Sequence, residues 1–211
     1  MAVDMPSPTY PYEKVAPGAL MLAGAEEIPR KIVQYLMDLP LHGYEPPDDN
    51  SYPRCRLMKY LFYDDKDALT HPLPTMAEKL SVLYDPKKPT KPPSEKGYRL
   101  FPQSYVGQSQ LRGQTRLMVY IGQMRAIGEY RREISVVFDI LTNVTSESKT
   151  DALSRAWAME CAIHDALNGV NIDGVGAMYC NRLANSECGS VPIGDRGTNV
   201  GRSLVMSCCW Q

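Results

Sequence analysis

The sequence predicts an α+β fold: a mixed, mostly antiparallel sheet packed against one main helix, with a proline-rich N-terminal extension. Between Arg132 and Trp210, a strand pattern is followed by a helix pattern and two further strand patterns, an order typical of a helix lying on a small sheet. Sixteen of the 17 prolines lie within residues 1–102, and proline is poorly tolerated inside helices and central strands. We therefore expect an N-terminal arm over 1–24, a proline-rich region with a helix, a strand and an extended linker over 25–98, and an α+β core domain over 99–211.

The proline-rich region begins with one predicted helix and one predicted strand. Ala25–Leu39 places its apolar residues on one helical face, and Pro29 falls in the first turn, where proline is allowed. Pro40 follows and would end this helix. The largely apolar run Arg56–Tyr63 (RLMKYLFY) predicts a strand.

A short helix and a linker complete this region. Thr75–Tyr84 predicts a helix, because Thr75 and Glu78 have the spacing of a capping box. Asp85–Tyr98 (DPKKPTKPPSEKGY) is basic and proline-rich, a composition that favours an extended, stiff linker.

The core domain is predicted from alternation and helical spacing. A central strand is expected over Arg132–Thr142, where every second residue is apolar, namely Ile134, Val136, Phe138 and Ile140. A helix is expected from about Lys149 to Asn168, with Ser148 as its cap and Gly169 after its end. Its apolar stripe contains Ala152, Ala156, Met159, Ile163 and Leu167, widened by Leu153 and Trp157.

Three further strands and one long loop are predicted around the central strand and the helix that follows it. The strands are expected over Thr115–Gly122, near Val175–Arg182 and over Val200–Trp210. The loop Leu183–Asn199 runs about 17 residues, much longer than an ordinary hairpin connection. Long loops on a rigid scaffold often carry function.

Composition excludes some classes of function. The chain has 211 residues, with 23 basic and 24 acidic side chains and a net charge of −1, so there is no electrostatic case for general nucleic-acid binding. We also expect no sequence-specific nucleic-acid partner and no membrane partner. No apolar run reaches the roughly 20 residues that a membrane-spanning helix needs. The six cysteines are too sparse for a disulfide-stapled fold, and we expect free thiols in a reducing compartment.

Catalytic and metal-binding motifs give no clear signal. The sequence contains no phosphate-binding loop, no dinucleotide-binding glycine pattern and no nucleophile elbow. Cys161, His164, Cys180 and Cys188 could form a zinc site on paper, but they lack the paired short spacing of structural zinc sites. A Cys161 or Cys180 nucleophile activated by His164 stays open. We therefore predict no catalytic residue, no bound metal and no cofactor, and we expect that the protein is not an enzyme.

Two sets of residues are predicted to make protein contacts. The loop carries recognition-type side chains, which we expect to face a partner: Asn185, Glu187, Asp195, Arg196 and Asn199. The arm and the linker are expected to contact neighbouring subunits through Tyr10, Tyr12, Lys87, Lys88 and Lys91. The alternative for the loop is a surface segment that contacts no partner. The alternative for the linker is that its lysines contact only solvent.

The second half of the chain resembles the tail terminator family among the neck and tail-completion proteins of tailed bacteriophages. The resemblance spans roughly Leu100–Trp210 and rests on the order of the elements. Four stretches carry it: TRLMVYIG (115–122), REISVVFDILTN (132–143), HDALNGVNIDGVG (164–176) and NVGRSLVMSCCW (199–210). The proline-rich first half departs from the compact pattern of that family, but it is similar in style to phage structural proteins.

This resemblance implies a structural role in a virion. Terminators form rings, typically of six copies, that end the tail tube and join it to the head connector. The implied partners are further copies of the chain, the tail tube protein and head connector proteins, with assembly in the cytoplasm of a host bacterium. The alternatives are another virion component (a head–tail adaptor or stopper, a minor tail protein or a capsid-decorating protein) or an enzyme with an unrecognised site.

Overall fold

The computed structural model describes residues 24–37, 49–85, 97–104, 114–127, 131–143, 154–180, 189–194 and 199–210. Within these ranges the helices are α1 (Ile28–Met37), α2 (Pro53–Phe62), α3 (Met76–Val82) and α4 (Arg155–Leu167), with a 3₁₀ turn at Ala68–Thr70. The strands are β1 (Leu100–Phe101), β2 (Arg116–Ala126), β3 (Arg132–Asn143), β4 (Asn171–Ile172), β5 (Gly176–Tyr179), β6 (Gly189–Gly194) and β7 (Asn199–Trp210).

The seven strands form one mixed sheet. Its order is β1-β2-β3-β7-β5-β4, and β6 also pairs with β7. Only the short β1 runs parallel to its neighbour, while the pairs β2–β3, β3–β7, β5–β7 and β6–β7 are antiparallel. The α+β class and the mixed, mostly antiparallel sheet are therefore present, but the prediction of one main helix is too narrow, since the described residues contain four.

The central strand follows the predicted alternation. Its residues Ile134, Val136, Phe138 and Ile140 are fully buried. Phe138 pairs with Val119 of β2 and with Leu204 of β7, so these side chains share one face of the sheet. The other face carries Ser135, Val137, Asp139 and Leu141, which are half-buried. Alternation identified this strand because its period matches burial on one side.

The prediction of a strand over Arg56–Tyr63 is wrong, because these residues lie in or directly after helix α2. Pro53 occupies the first turn of α2, where its missing N–H costs nothing. The buried apolar residues of α2 recur at helical spacing, namely Cys55, Leu57, Met58 and Leu61. The aromatic and apolar content of the run had suggested a strand, but burial of one helical face against α4 decided the structure.

Several other helices and strands begin or end at residues that differ from the predicted ones. Helix α1 begins at Ile28, three residues after the predicted Ala25, and its predicted end at Leu39 lies outside the described residues. Strand β2 runs four residues beyond the predicted Gly122, and β5 is shorter than predicted. The cap of α4 is Ser154, whose hydroxyl accepts from the Trp157 N–H at 3.2 Å, whereas the predicted cap Ser148 lies outside the described residues. Gly169 follows α4 with φ of +80°, as predicted for a helix end.

One apolar core joins the two halves of the chain. Ile28, Ile32 and Leu36 of α1 are fully buried in the same cluster as Leu117 and Phe138 of the sheet. Residues of α2 and α4 also belong to this cluster. The regions predicted as 25–98 and 99–211 therefore share a core, although the arm over 1–24 lies almost entirely outside the described residues.

Buried cations satisfy carbonyl groups at helix ends and in a turn. The Lys79 ammonium, 2% exposed, donates to the Met37 carbonyl at the end of α1. Lys59 donates to Leu69 in the 3₁₀ turn. The Arg155 guanidinium, 0% exposed, donates to the Tyr60 carbonyl of α2. The last carbonyls of a helix lack partners within the helix and carry partial negative charge, so cations stabilise them.

The capping box predicted for α3 is confirmed and can be tested. The Thr75 hydroxyl accepts from the Glu78 N–H at 3.3 Å, and the Glu78 carboxylate accepts from the Thr75 N–H at 2.7 Å. We expect Thr75→Ala to lower the free energy of unfolding by about 1 kcal/mol, measured by urea denaturation. Thr75→Ser keeps the hydroxyl and should preserve stability, and equal losses in both variants would contradict a role for the cap.

In the parts of the chain that the structure describes, no helix has the length and apolar character needed to cross a membrane.

Candidate interaction surface

The predicted loop Leu183–Asn199 contains a strand. Residues Gly189–Gly194 form β6, which pairs with β7 from Gly189 opposite Val205 to Gly194 opposite Val200. The prediction of one long loop is therefore wrong in its centre. Only Val191 and Ile193 alternate in this short run, and Pro192 between them argued against a strand. Proline is nevertheless tolerated in a strand at a sheet edge, which is where β6 lies.

The predicted contact residues fall mostly outside the described residues. Asn199 is the exception: it is the first residue of β7, pairs with Asn143 and is 6% exposed. Asn199 therefore lies at the end of the β6–β7 hairpin where the two strands are connected, and its burial limits how much of its side chain a partner could reach. The residues outside the described ranges are Asn185, Glu187, Asp195, Arg196, Tyr10, Tyr12, Lys87, Lys88 and Lys91.

Four strand termini lie at one end of the sheet. β3 ends at Asn143, opposite the first residue of β7 at Asn199, and β6 ends at Gly194 beside them. β2 begins at the same end, because Arg116 pairs with Leu141 near the end of β3. The connections that enter β2, leave β3 and join β6 to β7 are thus all anchored here. Connections grouped on a rigid scaffold are a common way to build a binding surface.

A polar cluster fixes the β6–β7 hairpin to helix α4. The Glu160 carboxylate of α4 accepts from the Ser190 hydroxyl of β6 at 2.6 Å and from Nε of Arg202 in β7. Arg202 Nη2 also donates to the Ser190 hydroxyl at 2.6 Å. Charge-assisted hydrogen bonds of this kind are stronger than neutral ones. We call Glu160, Ser190, Arg202 and the adjacent Trp157 the hairpin clamp.

Trp157 gives the hairpin clamp an exposed aromatic surface. The Arg202 guanidinium carbon lies 4.2 Å from the centre of the Trp157 ring, a cation–π geometry. Trp157 is 38% exposed, so its predicted place in the apolar stripe of α4 is wrong. Tryptophan and arginine are enriched among the residues that dominate binding at protein interfaces. The clamp therefore combines a rigid base with side chains suited to protein contact.

Sequence reasoning missed the hairpin clamp as a unit. Glu160 and Arg202 are 42 positions apart, and neither belongs to a motif. They meet because β6 and β7 pair beneath α4. Strand β6 is the strand that was not predicted from the sequence.

The clamp makes a prediction about stability. We expect Glu160→Gln to lower the free energy of unfolding by about 1–2 kcal/mol, because Arg202 loses a largely buried charged acceptor. Urea denaturation would measure the loss, with Glu26→Gln as the control because Glu26 is exposed. An unchanged unfolding midpoint in Glu160→Gln would show that the hairpin is held by backbone pairing alone.

A second polar network lies on the opposite face of the sheet. The Asp139 carboxylate accepts from the Tyr120 hydroxyl at 2.8 Å and from the Ser203 hydroxyl at 2.5 Å. Burial, the hydrogen bond and the charge of Asp139 raise the pKa of Tyr120 to about 12. The phenol therefore stays a donor at neutral pH. Both carboxylate oxygens have donors, and the network connects β2, β3 and β7 across this face.

The candidate nucleophile Cys161 is in an unfavourable setting. Burial, together with the neighbouring Glu160 and Asp165 carboxylates, raises the pKa of the Cys161 thiol. A thiol with a raised pKa is a poor nucleophile and a poor metal ligand at neutral pH. Within the described ranges, no group of three or more histidine, cysteine or acidic side chains is placed to hold a metal ion. Cys188, the fourth candidate zinc ligand, lies outside those ranges.

Comparison with protein-family models, curated proteins and solved structures gives no match to this chain.

Proposed function

We propose that this chain is a structural subunit of a bacteriophage neck, forming a tail terminator-like ring at the head–tail junction. The ring would end the tail tube and join it to the head connector. The observation that carries the proposal is the element order from β2 to β7, with α4 between β3 and the last strands. This is the order on which the resemblance to tail terminators depends.

The described surface suits a mechanical role. A ring subunit needs a rigid body, because each contact must repeat at the same angle for heterologous interfaces to close. The twelve-residue strands β3 and β7 pair along their full length, and the hairpin clamp fixes β6 to α4. Strand ends grouped at one end of the sheet would then present connections to the next ring of the particle.

Locating the protein in particles tests this proposal. Purified virions should contain the chain, and antibody-conjugated gold raised against it should label the head–tail junction in electron micrographs. The label should persist on tails detached from heads if the chain ends the tail tube. Label on the capsid surface or along the tail would instead assign the chain to another virion component, and virions without it would contradict a structural role.

The connection between β6 and β7 should contribute to docking more than to folding. We expect Asp195→Ala with Arg196→Ala to change the free energy of unfolding by less than about 0.5 kcal/mol. The same variant should lower the yield of joined particles in a head–tail complementation assay about tenfold, with Asp67→Ala as an exposed acidic control. Strong destabilisation would show instead that these side chains support the fold.

A further inference from the structure

Strand β6 lies at an edge of the sheet. Strand β7 pairs with β3 along its whole length on one side. On its other side, β7 pairs with β6 from Val200 to Val205 and with β5 at Ser207 and Cys208. No other described strand pairs with β6, so one row of its backbone groups points away from the sheet. Such a row is a template for pairing with a strand of another molecule.

The side chains of β6 give this edge little protection. The strand reads GSVPIG and contains no charged side chain. Val191 is 58% exposed and lies on the face of the sheet opposite α4, because it pairs with Ser203 of the Asp139 network. Natural sheets block such edges with charged side chains, bulges or proline. The register of β6 runs without a bulge, so Pro192 is the blocking feature that this strand contains.

The pairing with β7 fixes the direction of the Pro192 nitrogen. In an antiparallel pair, every second residue directs its N–H and C=O toward the neighbouring strand, and the residues between direct theirs away. Pro192 pairs opposite Arg202 within an uninterrupted register and has no N–H to donate to β7, so its nitrogen belongs to the outward row. Ser190 and Gly194 share that row, since they lie two residues to either side. The outward row therefore lacks its central donor.

The hairpin clamp holds Pro192 in this position. Ser190 donates to the Glu160 carboxylate at 2.6 Å, and Arg202, opposite Pro192 in the ladder, donates to the same carboxylate. Ser190 and Arg202 are thus both fixed to α4, which keeps β6 from sliding along β7 or turning its inward row outward. A strand that approaches this edge meets the pyrrolidine ring where it needs a donor.

We propose that Pro192 blocks the edge of β6 against pairing with β6 of a second copy of the chain. Two identical strands can pair antiparallel about a two-fold axis, and the uncharged, exposed β6 would otherwise allow this. Such a contact is isologous, whereas a single ring closes through heterologous contacts, so it would compete with ordered assembly. The inference goes beyond the proposed function and does not depend on it, because a monomer needs the same protection.

Replacing Pro192 by valine tests the proposal, because valine restores the N–H and favours a strand. Light scattering over a range of concentrations should show new particles of about twice the mass of the unmodified chain's own species. Their amount should rise with concentration and exceed that in the unmodified chain about tenfold. Hydrogen exchange should show new protection at Ser190 and Gly194. Pro72→Val changes an exposed proline outside the sheet and should leave the mass unchanged.

A charge on the same strand should reverse the effect. Pro192→Val combined with Val191→Lys places an ammonium on the exposed face of β6, and lysine on an edge strand opposes pairing. The double variant should therefore return to the mass of the unmodified chain. Urea denaturation of Pro192→Val, at a concentration too low for the new particles, should give an unfolding midpoint close to that of the unmodified chain.

Three outcomes would overturn the proposal. A Pro192→Val chain that stays folded and forms no new particles would show that the edge needs no proline. New particles that persist in the double variant would place the contact elsewhere. A lower unfolding midpoint in both Pro192→Val and Pro192→Thr would show that the proline stabilises the hairpin instead of blocking its edge.

Discussion

Replacing Arg155 by methionine should lower the free energy of unfolding by about 3–5 kcal/mol. The guanidinium is 0% exposed and donates to the carbonyls of Tyr60 at 2.9 Å, Tyr63 at 2.5 Å and Asp65 at 2.5 Å. Methionine fills similar space but donates no hydrogen bond, so three carbonyl groups, one in the last turn of α2 and two just after it, would lose this donor. Urea denaturation followed by circular dichroism measures the loss.

Two further variants define the cause of this effect. Arg155→Lys keeps the charge but cannot donate in the fork geometry of a guanidinium, so its stability should fall between those of Arg155→Met and the unmodified chain. Arg125→Met changes an exposed arginine on β2 and should shift stability by less than about 0.5 kcal/mol. Similar small shifts in Arg155→Met and Arg125→Met would refute the role of Arg155 at the α2 end.

Gly201→Ala should be the second strongly destabilising substitution, with a loss of about 3 kcal/mol or more. A Cβ atom on Gly201 would overlap the carbonyl oxygen of Ile140 on the neighbouring strand. That atom belongs to the backbone of β3, so relief requires the two central strands to separate locally. We expect a lower unfolding midpoint and weaker hydrogen-exchange protection around Ile140.

The matched glycine control lies in the neighbouring strand. A Cβ atom on Gly189 of β6 meets no described atom within 4 Å. Gly189→Ala should therefore be neutral or slightly stabilising, since alanine restricts the unfolded chain more than glycine does. Tolerance of Gly201→Ala at the level of Gly189→Ala would mean that β3 and β7 adjust to a side chain at this position.

The sequence was sufficient where local periodicity coincides with burial. Strand β3 alternates cleanly because one of its faces lies in the core, and α3 was found because its capping box is a local motif. The same reasoning failed for α2, whose Pro53 marked a helix start, because the run that follows is rich in strand-forming residues. It failed again for β6, where Pro192 concealed an edge strand.

Other features depend on contacts that no local pattern encodes. Helix α3 buries Lys79 while Leu80 is exposed, which reverses the usual preference of the two residue types. The reason is the Met37 carbonyl, 42 positions earlier in the chain, whose position is set by the packing of α1. The hairpin clamp likewise joins segments distant in sequence, so tertiary structure was needed to find it.

Assembly into a closed ring is the central claim, and mass measurement tests it most directly. Light scattering on the purified chain, alone and with isolated phage tails, gives the number of copies per particle. We expect a closed oligomer of about six copies of the 23.6 kDa chain. A chain that stays monomeric both alone and with tails present would contradict it.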